Sequence, residues 1–174
     1  MGRAIEYAQA TGCLRLNCLA GVAPPGIAKE LLHSTFVGNV RYAARELAKA
    51  GLILVIEPIN TRTVPDFFLS GSAQAVAVLD EADAENAFVQ YDLFHMQIME
   101  GDLAKTMQRL LPRIGHIQIA DVPDRHEPGT GELNLGFLLA EMDRIGYEGA
   151  VGCEYNPARD TLSGLAWAAP YLKT

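Results

Sequence analysis

Apolar and polar positions alternate in blocks along the whole chain, and the blocks switch between helical and extended spacing. Residues 3–11 read as a short helix stopped by Gly12, and Leu14 to Leu19 follow as a strand. After the loop Gly21-Val-Ala-Pro-Pro-Gly26, a second helix is predicted from Ser34 to Ala50. Phe36, Val40, Ala43, Ala44 and Leu47 lie on one face of it, and Gly51 stands where a helix-ending glycine belongs. Leu52-Ile-Leu-Val-Ile56 is unbroken apolar sequence, the signature of a strand covered on both faces. A helix over 72–82, with Ser72 as its N-cap, leads to the strand Phe88–Asp92. A helix near Asp102–Leu111, the strand His116–Ala120, a helix over 136–145 ended by Gly146, the strand Ala150–Tyr155 and a last helix ending near Leu172 complete the series.

Five strands separated by helices, with no linker or low-complexity stretch, predict a single α/β domain over 1–174. Its sheet is parallel, either doubly wound or curved as in a barrel. No GxGxxG follows the first strand and no GxxxxGK[ST] occurs, so the nucleotide-binding versions of this architecture lose their usual support. With 49% hydrophobic and 20% charged residues, the 174-residue chain can bury a core. A net charge of −7 argues against partners that are nucleic acids or anionic membrane surfaces. Cys13, Cys18 and Cys153 are too few and scattered for a disulfide scaffold. There is no signal-peptide apolar region and no apolar run near the roughly 18 residues of a membrane span, as expected for a soluble cytoplasmic protein.

The chemistry sits at the strand ends. Four strands close on a carboxylate or amide, Glu57, Asp92, Gln118 and Glu154, at spacings of 35, 26 and 36 residues, close to one βα repeat each. Any one of them alone reads more simply as a helix cap or a solvated loop residue. Capping does not predict four in register. In a β/α barrel the C-terminal strand ends converge at one mouth, where three acids and an amide would repel one another without a cation. Oxygen ligands of this kind suit Mg²⁺ or Mn²⁺. Glu57 and Glu154 directly follow apolar strands and form a candidate acid–base pair on two faces of one substrate. His95 is a candidate for the same mouth, three residues after Asp92. Arg125, in the polar loop 121–132, is a candidate grip for a carboxylate. His116 begins its strand and is expected at the opposite face, His33 on a helix surface, and Trp167 in packing.

The segments Val55-Ile-Glu-Pro-Ile-Asn60, Gln90-Tyr-Asp-Leu-Phe-His-Met-Gln97, His116-Ile-Gln-Ile-Ala-Asp121, Glu127-Pro-Gly-Thr-Gly-Glu132 and Gly152-Cys-Glu-Tyr155 together resemble the hydroxypyruvate isomerase family, a branch of the xylose-isomerase-like TIM barrels. The resemblance implies reversible interconversion of hydroxypyruvate and 2-hydroxy-3-oxopropanoate. Glu57 and Glu154 would be the proton donor and acceptor; Glu57, Asp92, Gln118 and Glu154 would hold the divalent cation. Sugar epimerases of the superfamily usually carry His where Gln118 stands, which favours the isomerase branch over a ketose 3-epimerase. The endonuclease branch uses a His-rich zinc site and a basic surface that are missing here.

By this resemblance the chain corresponds to strands 4–8 of a partial (β/α)₈ TIM barrel, with the first three βα units absent. A complete barrel takes roughly 200–250 residues. Open edges at the first and last strands would then expose backbone donors and acceptors, and they are candidates for pairing with another copy. The second reading is therefore a catalytically inactive chain that binds a partner or is unstable.

Overall fold

The computed structural model describes residues 1–172; residues 173 and 174, the end of the expected domain, lie outside the described residues. The elements, in chain order, are α1 (Gly2–Thr11), β1 (Arg15–Asn17), α2 (Lys29–Ala48), β2 (Ile53–Ile56), α3 (Ser72–Ala82), β3 (Ala87–Asp92), α4 (Leu93–Met99), α5 (Leu103–Leu110), β4 (Ile114–Ile119), α6 (Leu135–Ile145) and β5 (Val151–Cys153). Short 3₁₀ segments span Leu111–Arg113 and Ser163–Tyr171. All strand pairs are parallel and the order is β1-β2-β3-β4-β5. Sequential order without reversal separates this sheet from a doubly wound one and makes it an open half-barrel.

The two faces of the sheet differ in kind. Leu54, Ile56, Val89, Tyr91, Ile117 and Ile119 point outward and are buried under the helices. Against them α2 turns Phe36, Val37, Val40, Ala43, Ala44 and Leu47, and α3 turns Ala75, Val78, Leu79 and Ala82. Gly51 adopts φ 69, a region costly for any residue with a Cβ, and lets Leu52 N–H return to the Leu47 carbonyl at the end of α2. The concave face carries Arg15, Asn17, Val55, Phe88, Gln90, Asp92, His116 and Gln118, which alternate with the outward set. An irregularity between β3 and β4 pairs Val89 with Ile114 but Gln90 with His116, leaving Gly115 as the extra residue. A Cβ at Gly115 would lie 2.7 Å from Phe88 Cβ, and its carbonyl accepts a 2.9 Å hydrogen bond from Arg15 Nε across the hollow.

Several expectations are corrected. The first strand is shorter than Leu14–Leu19, although its ladder reaches Leu14 O and Cys18 N. Among the described residues it is an edge strand with a partner on one side only, and the same holds for β5, expected over Ala150–Tyr155. The second helix starts at Lys29, ahead of Ser34, whose hydroxyl donates back to Leu31 O inside the helix. Its first turn extends past the core, so no apolar period marks it. Ser72 is the first residue of α3 and not its cap; its N–H and hydroxyl both donate to the Glu100 carboxylate, at 2.6 and 2.8 Å. The strand of His116 starts at Ile114, two residues earlier than expected, and its imidazole turns into the hollow near Arg15 and Gln118. The final helix is 3₁₀, with Pro170 inside it. Trp167 packs as expected and donates to Tyr155 Oη. Among the described residues no helix is long and apolar enough to cross a membrane.

Leu47 is fully buried and Leu31 is 58% exposed. Leu47→Ala is expected to cost about 2–5 kcal/mol in urea unfolding, and Leu31→Ala within about 0.5 kcal/mol of none.

Candidate active site at the strand ends

A chain of hydrogen bonds crosses all five strands. Asn17 Nδ2 donates to Glu57 Oε2 at 2.6 Å, and Gln90 Nε2 donates to the same oxygen at 2.8 Å. Gln90 Nε2 also donates to Gln118 Oε1, and Gln118 Nε2 donates to Glu154 Oε2. The two glutamates are thus tied into one belt of amides along the hollow. Glu57 and Glu154 differ in setting: the Glu57 side chain is 6% exposed and that of Glu154 50%.

Asp92 ends β3 and is fully buried. Its Oδ1 caps α4 by accepting from Phe94 N at 2.8 Å, so the capping role and a place in the site are both realised in one side chain. Among the described residues its Oδ2 has no hydrogen-bond partner. Around that oxygen stand His95 Nε2 at 3.7 Å and Arg125 Nη2 at 3.6 Å, while His95 Nε2 lies 3.8 Å from Glu57 Oε1. These separations exceed hydrogen-bond length and leave a gap edged by two carboxylates, an imidazole and a guanidinium. Arg125 Nη2 also reaches Glu154 Oε1 at 3.0 Å, and the guanidinium lies over the Phe94 ring, 5.2 Å from its centroid.

Arg125 is held by its loop. It adopts φ 59, its N–H donates to Asp121 O, and its carbonyl accepts from Asn156 N at 2.8 Å. Buried Asp121 organises that loop: its two oxygens accept from the N–H groups of Val122, Gly129, Thr130, Gly131 and Leu133, at 2.9–3.1 Å. Arg62 Nη2 joins the loop after β2 to the same segment through Pro123 O.

Burial dominates the electrostatics. It raises the Glu57 carboxyl to about 7, helped by the Asp92 charge and opposed by the Asn17 hydrogen bond. Burial likewise raises Asp92 to about 6 against the pull of Arg125 and the Phe94 N–H. His95 is lowered to about 4, by burial first and Arg125 second, so its imidazole is neutral at pH 7.

All six predicted side chains therefore meet at one end of the hollow. Glu57, Asp92 and His95 lie within 4.8 Å of one another. The orphaned Asp92 Oδ2 beside Glu57 Oε1, two hard oxygens kept from full ionisation by burial, fits a divalent cation. Gln118 stands beside them but turns its carbonyl oxygen to Gln90. Asn17, Gln90, Asn60 and Asp121 were not singled out by sequence reasoning. For Gln90 the available signal was its position two residues before Asp92, which puts both on the same face of the strand.

A parallel half-barrel with carboxylates, an imidazole and a guanidinium gathered at the strand ends has the architecture of part of a TIM barrel. The family model described as Xylose isomerase-like TIM barrel matches residues 1–171, and the chain belongs to that family. It is 48% identical over 168 residues to the hydroxypyruvate isomerase of Escherichia coli (strain K12), covering 97% of this chain and 65% of that protein. It is 45% identical over 172 residues to a 2-oxo-tetronate isomerase of Cupriavidus necator, covering 99% of this chain and 66% of that protein. A crystal structure from Brucella melitensis, described as an AP endonuclease of family 2, superposes with a TM-score of 0.95 at 43% identity, over 99% of this chain and 66% of that one. The chain thus spans about two thirds of the length of these relatives.

Two predictions follow from this geometry. Between about pH 4.5 and 7 the folded state holds a proton on Glu57, and between about pH 4 and 6 one on Asp92, that the unfolded chain has released, so metal-free stability falls as pH rises through those windows. His95, neutral when folded, opposes the trend between pH 4 and 6.5 without cancelling it. The net loss is on the order of 2 kcal/mol in urea titrations, and Mg²⁺ or Mn²⁺ is expected to restore more stability at pH 7.5 than at pH 5. Asp121→Ala strands five N–H groups and is expected to cost about 3 kcal/mol or more in the same measurement.

Proposed function

We propose that the site isomerises a small 2-oxo acid that carries a hydroxyl on the neighbouring carbon, with hydroxypyruvate and 2-hydroxy-3-oxopropanoate as the pair interconverted. One observation carries this reading: the amide belt links Glu57 and Glu154 across the hollow, with Arg125 reaching between Asp92 and Glu154. The names of the E. coli and C. necator relatives support it.

Hydroxypyruvate has a hydroxymethyl carbon beside a ketone, and the conversion moves one proton between those two carbons. Glu57, with a carboxyl near 7, is matched to the work of a general base at neutral pH. It takes a proton from the hydroxyl-bearing carbon, and the electron pair left behind delocalises into the ketone as an enediolate. Glu154, half exposed and able to exchange with water, returns a proton to the former ketone carbon. Rearrangement of the hydroxyl protons then leaves an aldehyde at one carbon and a secondary alcohol at the other. Arg125 supplies a guanidinium for the substrate carboxylate, which must first displace its contact with Glu154. His95 offers a neutral imidazole to a substrate oxygen.

A divalent cation, Mg²⁺ or Mn²⁺, would be held by Glu57 and Asp92 with Gln118 and Glu154, and would supply Lewis-acid stabilisation of enediolate charge. For Gln118 to join, its amide must turn so that its oxygen leaves Gln90. The name of the Brucella structure does not carry over: a net charge of −7 ill suits a DNA surface, and the metal-capable group among the described residues contains one histidine.

The unpaired outer edges of β1 and β5, with Leu14 63% exposed, favour a second reading in which the hollow is completed by pairing with another copy.

Purified chain with Mg²⁺ or Mn²⁺ is expected to interconvert the pair, and Glu57→Gln and Glu154→Gln are each expected to lower turnover by about 100-fold or more. Activity that survives both substitutions contradicts the two-glutamate reading. Size-exclusion chromatography of the active fraction decides the pairing: activity confined to a dimer supports it, and an active monomer removes it.

A further inference from the structure

The last residue of the Glu57-Pro-Ile-Asn60 segment has no part in the reaction just described, yet it is fully buried and faces the site from behind. Asn60 Nδ2 stands 2.6 Å from His95 Nδ1, and Asn60 main-chain N–H donates to the same nitrogen at 3.3 Å. The amide is not free to turn. Its Oδ1 accepts from Thr63 N at 2.8 Å and from Thr63 Oγ1 at 3.0 Å, so the Nδ2 hydrogens are the atoms presented to the imidazole. Two donors on one ring nitrogen require that nitrogen to be an acceptor. In a neutral imidazole the proton then sits on the other nitrogen, and His95 Nε2 is the atom that faces the gap between Glu57 Oε1 and Asp92 Oδ2.

This bears on what His95 is for. Its position with Glu57 and Asp92 gives it the look of a metal ligand. A histidine that ligates a metal through Nε2 needs a lone pair there, and therefore a hydrogen on Nδ1 directed at an acceptor such as a carboxylate or carbonyl. Here Nδ1 faces donors from both the side chain and the main chain of Asn60, the opposite arrangement.

We propose that Asn60 is a positioning residue that locks His95 in its Nε2–H tautomer, so that His95 delivers a hydrogen to a substrate oxygen and is kept out of the cation's ligand set. Thr63 acts one step further back, by fixing which end of the Asn60 amide meets the ring. The assignment rests on the proposed site, but it concerns proton placement and is read without turnover.

The test is long-range ¹H–¹⁵N correlation of the histidine rings in the ¹⁵N-labelled chain, with the His95 signals identified by their loss in His95→Gln. The expected spectrum shows His95 Nε2 protonated and Nδ1 unprotonated, and this pattern persists when Mg²⁺ and then Zn²⁺ are added. A protonated Nδ1 in the unsubstituted chain overturns the proposal, as does conversion of Nε2 to an unprotonated, metal-shifted nitrogen on adding either ion. Asn60→Asp exchanges the donor for an acceptor, so Nδ1 is expected to gain a proton in that variant. A folded Asn60→Asp chain with an unchanged pattern also overturns it, and if the variant does not fold the unsubstituted spectrum decides alone. The two readings fail separately: an inactive chain with His95 Nε2–H removes the isomerase and leaves the lock, and an active chain with Nδ1–H does the reverse.

Discussion

Two carboxyl groups placed at the ends of neighbouring strands and taken out of water are the constraint on which the rest of the site depends. Glu57 and Asp92 are both buried, burial raises both carboxyls, and the Asp92 charge further disfavours ionisation of Glu57. Left alone they would weaken the fold. Their surroundings answer this in parts: Asn17 and Gln90 donate to one oxygen of Glu57, the first turn of α4 donates to one oxygen of Asp92, and Arg125 brings a positive charge. One oxygen of Asp92 is still unanswered. A cation or a substrate oxygen is the partner with the chemistry to complete it.

The division of labour between the sheet's two faces follows from the same requirement. The outer face is apolar apart from the buried Tyr91 hydroxyl and bears the helices that hold the fold together. The hollow therefore can carry amides and acids that would be costly in a core. Arg15, reaching the Gly115 carbonyl, spans the hollow near its floor, and the amide belt spans it at the mouth. Above the mouth, Asp121 gathers five N–H groups to set the loop from which Arg125 descends. The relatives of known name are about half as long again as this chain.

The apolar run 52–56 and the strand before Asp92 made the parallel sheet legible, because a strand buried under helices has few alternatives to unbroken aliphatic sequence. The polar strand ends were legible for a related reason: Glu57 interrupts a run where burial is otherwise complete. Asn17 and Gln90 were not, because a polar residue inside a strand acquires meaning only once its face is known. For His116 the same gap hid its direction: with the strand starting at Ile114, the imidazole turns into the hollow near Arg15, toward the floor. Helix α4 was missed because it follows β3 without a loop and spans only seven residues, too short for a period to show. Asn60 illustrates a different limit. Its partner is 35 residues away, and no local pattern announces a hydrogen bond to a ring nitrogen.

The central claim is that Glu57 and Asp92 are poised, partly protonated, to receive a divalent cation. Calorimetric titration with Mn²⁺ near pH 6.5, in two buffers of different ionisation enthalpy, reads this directly. Proton release on binding, strongly reduced in Glu57→Gln, is the predicted result. Binding with no proton release, or no binding to the folded chain, would contradict it.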